Sequence, residues 1–303
     1  MSTKPLTTAQ FFKLFPTDEA CLEHLFAVRF GQGFACPSCG RPSKWFRIKA
    51  ERAYSCQWCG HHLHPTVGTP FEQTRTPLQL WFYAIHLFTT TRHGVSAKEL
   101  QRQLGVTYKT AWRIATLIRQ HMADVDGEDP IGGEGKSVQI DETFVGGVYP
   151  RGKRGGDPAE GKAIVLGMLE AGGEIVTQVV PNRQRGTIFP IVKLNVQPST
   201  EIHTDEYRTY ATLGSMPGMA YTHKSVIHAM DQYVGPTGET VNALESFWSH
   251  LKRSIGGTHT SVSAKYLGRY VKEFEYRFNR RNDAASMLPE LLSTFGPLKS
   301  GRD

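Results

Sequence analysis

Two short stretches carry the same chemical unit: CPSC at 36–39 and CQWC at 56–59 each offer two thiolates from a tight turn. Two such knuckles close a tetrahedral set of soft ligands suited to Zn²⁺, here Cys36, Cys39, Cys56 and Cys59. A redox C-x-x-C needs no second pair at this spacing, so a structural metal site is the expectation. His61, His62 and His64 stand nearby as substitute ligands, but four thiolates already complete the shell. A different chemistry is offered by NALESFWSHLKR at 242–253. At about 100° per residue, Asn242, Glu245 and Lys252 line one side of a helix while Phe247 and Leu251 form an apolar stripe. An amide, a carboxylate and an ammonium on one face can meet a ligand, or can simply be solvated.

The elements around these residues follow from local signals. Gly40 and Gly60 follow the two cysteine pairs, and KWFRI and RAYS between the pairs read as short strands, which makes a zinc ribbon. Thr17 caps a preceding helix in which Cys21 fills core. Thr76 as N-cap and Pro77 at the first helical position open LQLWFYAIHLF. Ser96 then caps a helix bearing Leu100 and Leu104, Gly105 makes a turn, and Thr107 caps a second helix with Ala111, Ile114, Ala115 and Ile118 at helical spacing. That is a helix-turn-helix pattern, with a plain helical hairpin as the alternative. In such a motif Tyr108, Lys109, Thr110, Trp112 and Arg113 would face a DNA major groove.

Past a Gly-rich acidic linker at 124–136, KSVQIDETFVGGV reads as a strand with Val138 and Ile140 on one face and Gln139 and Asp141 on the other. AIVLGMLE and EIVTQVV form a hairpin, RGTIFPIVKLNV a helix containing Pro190, and TEIHTDEYRTY a strand in which Asp205 shares a face with His203. Strand, hairpin, helix, strand and a later helix bearing Glu245 is the order of an RNase H-like fold, in which the first and fourth strands lie side by side and bring their aspartates together. The fold class is therefore α/β, an RNase H-like domain preceded by a small zinc ribbon and a helix-turn-helix domain. The expected spans are 1–72, 73–123, a linker at 124–136, and 137–303.

Composition narrows the class. Lys plus Arg outnumber Asp plus Glu by 35 to 28, a net charge of +7 that favours a polyanionic partner. Five cysteines make an odd count, which argues against a secreted disulfide framework. The first residues lack the apolar core of a signal peptide, and the longest apolar run, Leu80 to Phe88, is too short to span a bilayer. A cytoplasmic protein with no membrane partner is the expectation.

Taken in order, the two cysteine pairs, IDETFVGG at 140–147, HTDEYRTY at 203–210, HKS at 223–225, NALESFWSHLKR at 242–253 and EFEYRFNRR at 273–281 resemble the DDE transposases of bacterial insertion sequences. The resemblance is to the subgroup with an amino-terminal zinc ribbon and helix-turn-helix, and it covers most of the chain. It implies two Mg²⁺ (or Mn²⁺) ions in the catalytic site, with Asp141 bridging them, Asp205 on one and Glu245 on the other. Members carry either Asn or Glu at the third position; Glu245 is preferred here because it is anionic and Lys252 follows seven residues later, while Asn242 would bind metal or terminal DNA. Lys252 and Arg253 would hold a phosphate, Trp248 would stack on an unpaired base or fill core, and KRGGDP at 153–158 would touch the DNA backbone. Arg277, Arg280 and Arg281 form a further phosphate-binding face or a solvated helix end. Thr240 stands where related sequences carry His.

The implied activity is metal-dependent 3′-end cleavage at the terminal inverted repeats of an insertion sequence, followed by strand transfer into target double-stranded DNA. Joining two ends calls for a homo-oligomer on DNA, a dimer or larger. The rivals are an RNase H-like nuclease that hydrolyses without joining, and a domesticated DNA-binding regulator.

Overall fold

The computed structural model describes residues 4–127, 129–146, 162–226 and 240–295. It divides into two compact units, Met1–Val125 together with Asn282–Asp303, and Asp126–Arg281. The segment from Asn282 onward groups with the first unit, which also holds the ribbon and the helices that follow it.

In the first unit, α1 (Thr8–Leu14) and α2 (Asp18–Arg29) lead into a three-stranded antiparallel ribbon, β1 (Trp45–Ile48), β2 (Ala53–Cys56) and β3 (His62–Leu63). Thr17 caps α2 through Ala20 N–H at 3.2 Å, and Cys21 is fully buried, as the spacing predicts. α3 (Leu78–Thr90) starts one residue later than expected. Pro77 has an extended ψ of 138° and serves as the N-cap, so Thr76 lies outside. The orphan N–H of Gln79 is taken by Asp18 Oδ1 at 3.0 Å, a cap supplied from α2. α4 (Ala97–Leu104) and α5 (Tyr108–Asp126) are joined through Gly105, which adopts φ 64° and ψ 26°, a left-handed turn that favours glycine. Ser96 and Thr107 accept the N–H groups of Glu99 and Thr110 at 3.1 and 3.3 Å. α9 (Met287–Ser293) packs on α2 and α3, and its Leu291 O and Leu292 O meet the rings of His121 on α5 and His24 on α2 at 2.9 and 3.2 Å.

The second unit is built on a five-stranded sheet. Its order is β10 (Thr222–Ser225), β9 (Glu201–Thr204), β5 (Ser137–Val145), β6 (Ala163–Glu170) and β7 (Ile175–Val180). β5, β6 and β7 run antiparallel, whereas β9 is parallel to β5 and β10 is parallel to β9. Strand alternation sends Val138, Ile140, Leu166 and Met168 into a core with α6 (Arg185–Asn195), which holds Pro190 as expected. Val145, Val165, Leu169 and Ile175 face the other way into a second core, with Leu244, Phe247, Trp248 and Leu251 of α7 (Asn242–Ser254) and Leu267, Val271 and Phe274 of α8 (Ala264–Asn279).

The stretch read as a linker at 124–136 is part of the fold. α5 runs to Asp126, and Ile131–Gly132 forms β4, paired in parallel with β8 (Val196–Gln197). A Cβ on Gly132 would sit 2.5 Å from Thr200 Oγ1, so the glycine permits close packing where its type had suggested flexibility.

The basic end of α8, read from the sequence as a phosphate-binding face or a solvated helix end, makes contacts within the second unit. Arg277 is largely buried and paired with the fully buried Glu273 at 3.5 Å, and Arg280 is paired with buried Asp126. Arg281 stays exposed but donates to Gly173 O at 2.9 Å. α8 seals the free edge of β7: Glu275 accepts the Thr177 N–H at 2.8 Å, and Asn279 both accepts the Ile175 N–H and donates to its carbonyl, at 2.8 and 3.1 Å. Such side-chain pairing removes an open strand edge that would otherwise recruit another chain. KRGGDP at 153–158 lies outside the described residues.

Candidate active site

The four cysteines of the ribbon come together, with all four sulfurs within 4.8 Å of one another. Gly40 and Gly60 stand at φ 71° and 72° and return their N–H groups to Cys36 O and Cys56 O at 2.8 and 3.1 Å, which folds each knuckle around its sulfurs. Burial raises the Cys56 thiol, but Ser43 Oγ and the backbone N–H groups of Cys59 and Trp58 outweigh it and bring the group down to about 6. What suits the set to a soft divalent metal is the gathering of four sulfurs from two facing knuckles. His61, His62 and His64 are outside it; His62 pairs with Glu51 at 3.3 Å. Removal of the metal with a strong chelator is expected to unfold the ribbon, since on the order of 10 kcal/mol of binding free energy is coupled to folding in such small domains. The check is one zinc per chain by elemental analysis, together with loss of amide protection in β1 and β2 on chelation. Full protection after metal removal would count against a structural site.

The sheet brings the second group of residues together. Parallel pairing sets Gln139 of β5 opposite His203 of β9, so Asp141 and Asp205, two residues further along each strand direction, emerge side by side. Asp141 Oδ2 accepts the indole N–H of Trp248 at 3.0 Å, and Asp205 Oδ1 accepts the Tyr207 N–H at 3.0 Å. Burial first, then the charges of Glu142 and Asp205, push Asp141 up to about 7, against the opposing bonds from the Glu142 N–H and Trp248. Asp141 is thus a half-buried carboxyl held next to two other acids.

Trp248 is 4 % exposed, so of its two sequence readings core filling is the one realised and the base-stacking role is corrected. Its ring lies against Gly167 of β6, the strand partner of Asp141; a Cβ there would come within 2.5 Å of Trp248 Cζ2. The same helix leaves Asn242, Glu245, Lys252 and Arg253 exposed on α7, with Phe247 and Leu251 buried. Lys252 borders a cleft of about 580 Å³ walled by Phe144, Val145, Ile255, Val262 and Ser263. Among the described residues the cysteines are the group close enough to hold a metal; Asp141, Asp205 and Glu245 are not gathered to the same closeness.

A buried network lies on the opposite face of β5. Glu142, next to Asp141 but turned the other way, accepts from Arg183 at 3.0 Å and from the Tyr210 hydroxyl, while Arg183 stacks 4.4 Å over Tyr207. This bolts the turn after Asp205 to β5. Its sequence signal is a second acid on the apolar side of a strand, which has to be paired to be buried.

On α5, Tyr108 is half exposed, Lys109 and Arg113 are exposed, and Thr110 and Trp112 are partly covered. Among the described residues no helix is long and apolar enough to cross a membrane.

Residues 132–279 match the ISXO2-like transposase domain, and residues 16–62 match the transposase zinc-ribbon domain. The chain carries a transposase domain behind a transposase zinc ribbon. An uncharacterized protein in transposable element ISH50 of Halobacterium salinarum is 28% identical over 286 residues, covering 88% of this chain and 92% of that protein. An uncharacterized transposase-like protein of Haemophilus influenzae is 29% identical over 106 residues, covering 35% of this chain and 81% of its own length. The transposase domain begins at β4 and ends with α8, so it takes in both aspartates, Gly167 and all of α7.

Proposed function

We propose that this transposase cleaves the 3′ ends of its insertion sequence and transfers them into target DNA, using Asp141, Asp205 and Glu245 on an RNase H-like scaffold. The observation that carries this reading is the parallel pairing of β5 with β9, which juxtaposes Asp141 and Asp205, with α7 tied to Asp141 through Trp248. The strand order β10-β9-β5-β6-β7, three antiparallel strands extended by two parallel ones, supports the RNase H-like assignment.

An all-oxygen donor set around a carboxylate pushed up to about 7 suits a hard divalent cation, Mg²⁺ or Mn²⁺, held by Asp141, Asp205 and Glu245. Such cations, when bound, activate the attacking oxygen and neutralise charge on the leaving oxygen of an in-line displacement at phosphorus. The chain's own residues orient that chemistry. Trp248 fixes the rotamer of Asp141, Glu245 presents its carboxylate from the first turn of α7, and Lys252 faces the phosphate backbone from two turns further on. Asn242, one turn before Glu245, serves terminal DNA, and Arg253 adds a phosphate contact. At the other end of the chain, α4 and α5 form the helix-turn-helix, with Tyr108, Lys109, Thr110 and Arg113 reading terminal repeats and the ribbon beside them on the duplex. Two ends must be held at once, so the working form is a dimer or larger on DNA, acting in the cytoplasm.

Strand transfer in vitro with Mg²⁺ tests the reading, using labelled DNA ends from the flanks of the encoding locus. Asp141→Asn and Glu245→Gln are each expected to lower joining by at least about 100-fold, with end binding retained. Loss with Asn242→Ala but not with Glu245→Gln would move the third ligand to Asn242. End binding by wild type with no cleavage or joining, in Mg²⁺ or Mn²⁺, would make the protein a DNA-binding regulator. Cleavage without joining would make it a nuclease.

A further inference from the structure

We propose that Gln139 and His203 are positioning residues, a row behind the carboxylates that fixes the start of α7 and so aims Glu245; the inference rests on the transposase chemistry above. The two face each other across the parallel pairing of β5 and β9, each two residues before one of the aspartates and on the same face of the sheet. Both are buried, at 5 % and 6 % exposure, and each spends its acceptor on the chain that enters α7. Gln139 Oε1 takes the N–H of Leu244 at 3.1 Å, and His203 Nδ1 takes the N–H of Thr240 at 3.3 Å.

A helix start leaves backbone N–H groups without partners inside the helix. Here the N-cap position is Val241, whose side chain has no acceptor. Thr240 Oγ1 takes the Asn242 N–H at 3.1 Å, and Gln139 reaches across from the sheet for Leu244. A backbone N–H can only donate, so His203 Nδ1 is the ring nitrogen without hydrogen, and Nε2 donates to Glu201 Oε1 at 2.7 Å. Glu201 is in turn held by Lys224 Nζ at 2.8 Å from β10, which sets the ring's orientation. Leu244 and Trp248 lie four residues apart on one face of α7, with Thr240 just before the helix, and the sheet meets the three in turn with Gln139, Asp141 and His203. Glu245 directly follows the middle anchor. A lateral slip of the helix start would therefore carry Glu245 away from Asp141 and Asp205 while leaving the apolar face of α7 packed.

The test uses the full chain as Gln139→Met, His203→Leu and His203→Asn. Asn keeps an acceptor near the place of Nδ1, and Leu does not. Three quantities are measured against wild type: single-turnover joining of pre-cleaved ends, affinity for those ends, and amide hydrogen exchange. Gln139→Met and His203→Leu are expected to slow joining about 100-fold, the order of loss that a misplacement of 1 Å brings. End affinity stays within about threefold, and exchange protection is lost at Leu244 and Thr240 respectively. His203→Asn retains most of the rate and the protection, which a role for the ring's bulk would not allow. Equal rate losses in the Asn and Leu variants would overturn the proposal, as would a wild-type rate in Gln139→Met with Leu244 unprotected. Joining by wild type with unimpaired variants removes this role alone; absence of joining by wild type removes the transposase reading with it.

Discussion

In the absence of divalent cations, Asp141→Asn is expected to stabilise the protein against unfolding at pH 8, although it abolishes joining. The Asp141 carboxyl ordinarily ionises near 3.8 and is pushed up to about 7 here by burial and by the charges of Glu142 and Asp205. The sign follows from linkage. Below pH ~4 the group is protonated whether the chain is folded or unfolded, and the fold carries no penalty. Between pH ~4 and ~7 the unfolded chain releases the proton and the folded chain retains it, so stability falls as pH rises. Above ~7 the penalty is constant, on the order of 4 kcal/mol for a shift of about three units. Asn keeps an oxygen to accept the Trp248 indole N–H and has no charge to lose. The difference in unfolding midpoint between variant and wild type should therefore grow from pH 4 to pH 7 and then level. Mg²⁺ should raise the midpoint of wild type and leave the variant unchanged. Thermal unfolding across this pH series, with and without the cation, is the measurement. A difference that does not change with pH would mean that Asp141 is not held near its neighbours as described.

The sequence was most legible where chemistry is local. Paired cysteines with trailing glycines, Ser96 and Thr107 as caps, and the strict alternation of VQID describe their own surroundings, because the partner is within a few residues. Even the adjacency of Asp141 and Asp205 followed from element order, as a parallel crossover from the hairpin through α6 leaves few places for β9. Residues whose partners are distant in the chain carry little local signal of them. Arg280 looks like part of a phosphate-binding helix end, but it pairs with Asp126, 154 positions away. Ile131–Gly132 looks like linker because two-residue strands have no periodicity. Gln139 carries no mark of its role as a cap for a helix 105 positions downstream. Trp248 was open between base stacking and core because the helix pattern alone does not say which face meets the sheet.

Gly167 is the exception, a distant contact that did leave a signal, and its substitution is the second large effect. A glycine inside the apolar strand AIVLGMLE weakens the strand unless another group approaches closely. The approaching group is Trp248: a Cβ on Gly167 would lie 2.5 Å from Cζ2, 2.7 Å from Cη2 and 3.0 Å from Leu244 Cδ1. The indole is held from two sides, since its N–H is bonded to Asp141 and Phe247 packs against it edge to face, 5.2 Å away centroid to centroid. Gly167→Ala must then either rotate the indole off Asp141 or lift the start of α7 from the sheet. Overpacking of this kind costs about 1–3 kcal/mol in stability. The larger effect is on chemistry, since either movement displaces Asp141 or Glu245, and joining should fall about 100-fold at saturating DNA ends. Gly268→Ala in α8 is the matched control. Its added methyl group meets only Val179 Cγ2 at 3.8 Å, an ordinary contact, and alanine in a helix interior is favoured over glycine by about 0.5–1 kcal/mol. That variant should be slightly more stable and fully active. Loss of joining in Gly167→Ala with Gly268→Ala intact would tie activity to the seat of one tryptophan. Unchanged joining in Gly167→Ala would mean that the bond between Trp248 and Asp141 does not set the geometry of the reaction.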